Sequence, residues 1–169
     1  MMLIASVIWL IRRHHVSLLA AKAAAPIGLT MTLIAILTGA IWGKPIWGTY
    51  WAWDPRMTSF AILLMFYIGY ISIWSAMEYN DKVGDLSALL CIIGSIFALL
   101  SRYAVIFWNQ GLHQGASMSL DKEENIANVF YLPLLVCLLG FVSLFLTLLL
   151  IRTRTEIRIK RITSLLRMN

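Results

Sequence analysis

VFYLPLLVCLLGFVSLFLTLLLI, residues 129–151, contains no acidic or basic side chain. A helix rises about 1.5 Å per residue, so a stretch of this length crosses the ~30 Å hydrocarbon core of a bilayer. Three further stretches meet the same requirement, at about 24–42, 57–77 and 86–108. Within hydrocarbon the backbone must satisfy its own hydrogen bonds, so each reads as a helix. Pro26 suits the first turn of its helix, where a missing N–H costs little. The expected fold is an all-α integral membrane bundle of four full transmembrane helices plus an N-terminal half span.

The half span is residues 1–11, apolar until RRHH (12–15) stops it. Eleven helical residues rise about 16 Å, roughly half a bilayer. The segment lacks the basic start and small-residue cleavage site of a signal peptide. It reads as the second half of a span.

Composition agrees with membrane residence. Of 169 residues, 60% are apolar and 13% charged, against roughly half and a quarter in soluble domains. The net charge of +6 is distributed to suit an anionic membrane surface rather than nucleic acid. Cys91 and Cys137 sit in apolar runs without CxxC spacing. They read as buried small hydrophobes, not as a disulfide or metal site. No internal repeat or low-complexity linker divides the chain, which reads as a single membrane domain over 1–169.

Basic residues orient it. One side receives Arg12, Arg13, Lys22, Lys82, Arg152, Arg154, Arg158, Lys160, Arg161 and Arg167. The other receives only Lys44, Arg56, Arg102 and Lys122. By the positive-inside rule the first side is cytoplasmic (or matrix). Two substantial loops, about 43–56 and 108–128, then face outward. The tail, 152–169, alternates basic and apolar residues and reads as an anchor on anionic lipid. A docking segment for a cytoplasmic subunit is the alternative.

The first outer loop lies within WGKPIWGTYWAWDPRMTS, residues 42–59, which holds four of the chain's seven tryptophans. Indoles favour membrane interfaces, and an aromatic belt accounts for Trp9, Trp42, Trp74 and Trp108. The cluster Trp47, Trp51 and Trp53 asks for more. An extended backbone puts all three on one face, while a helix keeps Trp47 and Trp51 together and turns Trp53 away. Either arrangement offers an aromatic platform for a planar apolar ligand. Gly43 and Gly48 permit tight turns or close backbone approach. Asp54 and Arg56 either pair with each other at the surface or serve separate partners. In the second case Arg56, with Lys44, takes an acidic edge of the ligand, and Asp54 holds the loop.

The second outer loop reads FWNQGLHQGASMSLDKEEN, residues 107–125. His113 is the one histidine on the outer side; it is flanked by Gly111 and Gly115, with Asn109, Gln110 and Gln114 nearby. Imidazole is a common ligand of metals and haem iron. A flat aromatic shelf, a cationic edge and an imidazole together suit haem. His14 and His15 sit a bilayer away, beside Arg12 and Arg13, and belong to an inner basic turn.

These residues resemble a known family. The stretch from Trp42 to Ser59 resembles the tryptophan-rich WWD motif of membrane haem-handling proteins of cytochrome c maturation. Its flanks, WGKP before and R-x-T-S after, are similar to the CcmC branch. FWNQGLHQGAS resembles the CcmC segment that holds its second outer histidine. The resemblance covers nearly the whole chain. It implies haem b, bound non-covalently at the outer face, with His113 as an axial ligand of the iron. It also implies that Trp47, Gly48, Trp51, Trp53, Asp54 and Arg56 form the platform. Tyr50 stands where the family often has another Trp, and Pro55 where it often has Ala. Family members usually have six spans and a first axial histidine between spans one and two. The resemblance places the start of this chain inside span two, and no residue here matches that first histidine. Met118 is an outer thioether able in principle to replace it.

The implied activity is that of a non-enzymatic haem carrier, passing haem to a CcmE-type chaperone. CcmA/CcmB-type ABC transporter subunits and a CcmD-type small protein are the implied partners. The chain has no GxxxxGK[ST] loop to bind ATP itself. Two other readings stand beside this one: a cytochrome c haem lyase-like component, and a non-haem structural remnant of a membrane complex. The expected location is the bacterial inner membrane, with the mitochondrial inner membrane as the alternative.

Overall fold

The computed structural model describes residues 1–77, 80–107 and 128–166. Among them all regular structure is helical: α1 (Met2–Arg12), α2 (His15–Trp47), α3 (Pro55–Ala76), α4 (Asp81–Phe107) and α5 (Tyr131–Leu166). A single 3-10 turn, Asn128–Phe130, leads into α5. Helices α2, α3, α4 and α5 are long and apolar enough to cross a membrane, and α1 is a short apolar helix. The chain is an all-α, multi-pass membrane protein.

The helices extend past the apolar runs that announce them. Helix α2 begins at His15, not near residue 24, and Pro26 lies in its interior. Only Arg13, in the left-handed region at φ 52°, and extended His14 separate it from α1. Pro26 removes the N–H that would bond the carbonyl one turn back, but packed neighbours tolerate such a gap in membrane helices. Ala21, Ala23, Ala24 and Ala25 before the proline and Ile27 after it are all buried, so the helix is held by contact on both sides of the proline. Helix α5 likewise runs through the basic tail to Leu166. Hydropathy marks the hydrocarbon; helix ends are set by backbone hydrogen bonding, which continues into water.

Side-chain contacts fix an antiparallel arrangement. Phe66 of α3 stacks on Phe97 of α4 with ring centroids 5.4 Å apart, and Gly69 faces Leu90. Gly28 of α2 lies directly under the Tyr67 ring of α3, where even a Cβ would be 2.5 Å from it. Helix α5 packs on α2, with Leu149 and Phe145 against Ala23, Ala24 and Ile27. Helix α1 fills the groove between α2 and α4. The C-terminal ends of α2 and α4 therefore meet the N-terminal ends of α3 and α5 at one end of the bundle, the tryptophan end. The other, basic end carries Arg12, Arg13, Lys22 and the close of α5.

At the basic end the chain builds its tightest polar contacts. Trp9 is fully buried against Leu18 and Ala88, and its Nε1–H donates to Asp85 at 3.1 Å. Arg13 pairs with the same carboxylate and lies over the Trp9 ring. Trp9 is thus a core residue with a satisfied indole, not a member of an interface belt. Lys22 donates to Glu156 of α5 at 2.7 Å and sits 5.1 Å from the Trp74 ring centroid. The cysteines also differ from expectation: Cys91 is half-buried, and Cys137 lies exposed on α5, because α5 packs on the bundle through one narrow face.

Candidate functional site

The tryptophan loop is built from the closing turn of α2. Gly48 ends that helix in the left-handed conformation, φ 75°, and its N–H donates to the Lys44 carbonyl at 3.0 Å. Glycine is favoured there because a Cβ would be strained. The Lys44 ammonium returns to donate to the Gly48 carbonyl at 3.0 Å and lies 5.0 Å from the Tyr50 ring centroid. Lys44 therefore clamps the helix end. Its ammonium keeps further donors, and its side chain is exposed.

Trp47 is the last residue of α2 and folds back over Gly43, where a Cβ would be 2.8 Å from its ring. It meets Trp42 edge-on at 5.5 Å. Beyond Gly48, Thr49 turns the chain: its hydroxyl donates to the Trp51 carbonyl at 3.0 Å and accepts from the Trp51 N–H at 3.4 Å. Trp51 and Trp53 then meet edge to face, centroids 5.5 Å apart and rings inclined at 77°. The end of α2 and the loop thus carry two perpendicular pairs, Trp42–Trp47 and Trp51–Trp53, where an extended backbone would have put Trp47, Trp51 and Trp53 on one face. The reason is the helix: α2 claims Trp47, so the alternation starts only after Gly48.

Asp54 is 4% exposed and caps α3, accepting from the Met57 N–H at 3.0 Å. Pro55 follows at the first helical position, where its fixed φ favours the helix. Asp54 is a loop-holding residue. Arg56, partly exposed in the first turn of α3, forms no ion pair among the described residues. The surface salt bridge between Asp54 and Arg56 is not formed.

Two features fit a planar ligand with acidic groups. Trp53 is 82% exposed, presenting an indole with no covering. The Nε1–H of Trp51 is enclosed and has no acceptor among the described residues. A buried orphan donor is costly and calls for an acceptor at this spot. Lys44 and Arg56 supply cations at the two helix ends that flank the loop. These residues would suit a planar ligand with acidic groups such as haem: Trp53 offers an open apolar face, and Trp51, Arg56 and Lys44 offer hydrogen-bond donors. His113 and Met118 lie outside the described residues. Arg102 belongs to α4, whose C-terminal end is at the tryptophan end. Sequence reasoning passed over Thr49 and the contact of Lys44 with Tyr50; both depend on the αL turn at Gly48, which only its glycine foreshadows.

The profile of heme exporter protein C (CcmC) matches residues 1–168. The chain belongs to this family. It is 65% identical to the heme exporter protein C of Rhodobacter capsulatus over 165 residues, covering 98% of this chain and 68% of that protein. Identity to the Paracoccus denitrificans protein is 64% over 166 residues, 98% of this chain and 69% of the relative. The Escherichia coli protein is 39% identical over 156 residues, 92% of this chain and 62% of the relative. Membership in the heme exporter protein C family gives the chain a role in the haem export and cytochrome c maturation system. Its function there is haem handling, as a component of transport.

Proposed function

We propose that this chain is a haem-binding carrier that presents haem b, held non-covalently, at the outer membrane face for transfer to a CcmE-type chaperone. The observation that carries the reading is the pairing of exposed Trp53 with Trp51, whose enclosed Nε1–H has no acceptor among the described residues. Trp53 takes the macrocycle face, at roughly 25 cal/mol per Å² of apolar surface covered. Trp51, Arg56 and Lys44 take the propionates, and His113 ligates the iron. Asp54 and Gly48 hold the two helix ends that set the loop.

A carrier must also let go. The site is a loop strung between two helix ends, so a shift of α2 against α3 changes the spacing of its cationic and aromatic groups. CcmA/CcmB-type ABC subunits, with a CcmD-type small protein, supply that movement in this reading, in a bacterial inner membrane. The loop carries no thiol and no histidine, and the family's transport role favours a carrier over a lyase-like component.

The test is haem titration of the purified chain in nanodiscs. The double variant Trp51→Phe, Trp53→Phe keeps an aromatic belt but removes the indole N–H and ring area. Affinity lower by about tenfold or more supports the platform; affinity equal to that of the unsubstituted chain overturns it.

A further inference from the structure

Helix α5 is longer than its span. From Tyr131 to Glu156 it already rises about 38 Å, and ten more residues carry it about 15 Å further. The Lys22–Glu156 pair fixes its level against α2. Helix α2 reaches only about 10 Å past Lys22 toward its own start at His15. The last turn of α5 therefore stands about 5 Å beyond the start of α2.

That extension has a definite pattern. Thr153, Glu156, Ile157 and Lys160 are half-buried and form the inward face. At 100° per residue, Ile151, Ile159, Ile162 and Leu166 share a stripe on the opposite face. They are 57%, 51%, 57% and 72% exposed. Arg154, Arg158 and Arg161 line one edge of this stripe and Arg152 the other. All four arginines are exposed, and none forms an ion pair among the described residues.

A bilayer surface covers such a helix only when the helix lies in the membrane plane. This one is continuous with a transmembrane helix over Tyr131–Leu166 and is tied to α2 at Glu156. A span of about 20 residues begun at Tyr131 ends near Ile151. Arg152 and Arg154 therefore fall at headgroup level, while Ile159, Ile162 and Leu166 lie about 12–22 Å past the end of the span, on its aqueous side. Spacing i, i+3, i+7 is the anchor pattern of a helix seated in a groove. Arginines on both edges complement carboxylates on the groove's rims.

We infer that the closing turns of α5 are a docking helix. Ile159, Ile162 and Leu166 enter an apolar groove of a protein subunit on the basic side of the membrane, and acidic residues rimming that groove meet Arg154, Arg158 and Arg161. This goes beyond the haem reading, and depends on no residue of the tryptophan end.

The experiment places one cysteine, Ile162→Cys, in the full chain with Cys91→Ser and Cys137→Ser. Reaction with a charged maleimide is timed in nanodiscs of 70:30 phosphatidylcholine and phosphatidylglycerol, and in membranes of a host containing the haem export system. The expected result is fast labelling in nanodiscs and labelling slower by about tenfold or more in host membranes. Arg158→Glu with Arg161→Glu, both at exposed positions, restores the fast rate. A photoreactive maleimide at the same cysteine then joins a protein peptide bearing carboxylates beside the attachment point. Slow labelling in nanodiscs, or a lipid adduct, makes the bilayer the occupant and overturns the inference. Fast labelling in host membranes, or protection indifferent to charge reversal, also overturns it.

Discussion

Trp51 and Trp53 stand 5.5 Å apart, edge to face, yet only one is covered: Trp51 is half-buried with an enclosed indole nitrogen, while Trp53 is 82% exposed. The two therefore contribute differently to fold and to ligand. Trp53→Ala changes the stability of the haem-free chain by no more than about 0.5 kcal/mol, as for an ordinary surface site. It nonetheless weakens haem binding. Thermal unfolding in detergent, run beside haem titration, separates the two effects; a large drop in stability would mean that Trp53 is structural.

Asp54 holds the loop as the N-cap of α3. Asp54→Ala costs about 1 kcal/mol and Asp54→Asn much less, because asparagine caps nearly as well. If capping is its contribution to the site, haem retention follows the same order. Retention lost equally in both variants would show that the charge itself is needed at the ligand.

At the basic end, Asp85 serves a buried indole and an exposed guanidinium at once. The Arg13 and Asp85 side chains are 53% and 41% exposed, so their pairing contributes about 0–1 kcal/mol. Trp9 is fully buried, and leaving its N–H without the carboxylate costs about 1–3 kcal/mol. Asp85→Ala is expected to lower stability clearly more than Arg13→Ala in urea or thermal unfolding. Equal losses would assign the stability to the ion pair.

Gly84 and Gly140 make a contrast in packing. A Cβ on Gly84 would lie 2.8 Å from Leu18 and from the Trp9 ring, whereas one on Gly140 meets nothing within 4 Å. Gly84→Ala is expected to cost about 1–3 kcal/mol through overpacking. Gly140→Ala is neutral or slightly stabilising through helix propensity. Comparable melting temperatures for the two variants would contradict the packing described for α1, α2 and α4.

The spans were legible because long uncharged runs admit one reading in a bilayer. Their ends were not: residues 15–23 contain Lys22 and precede Pro26, so they resemble a loop until Glu156 and Trp74 are seen to receive the lysine. Trp9 looked like a belt residue because the partner that buries its nitrogen, Asp85, is 76 positions away. In the site, the cluster of tryptophans and the loop-holding role open to Asp54 could be read from spacing. The perpendicular pairing could not, since it follows from where α2 stops. The helical continuation of the tail was hidden by its own alternation of arginine and isoleucine, which shows no clear helical period.

Haem binding at the tryptophan end, with His113 as an iron ligand, is tested most directly by the absorption spectrum of the purified 169-residue chain beside that of His113→Ala. The expected result is a haem band in the unsubstituted chain that is lost or shifted to a different ligation state in the variant. Identical haem content and identical spectra in the two proteins would contradict it.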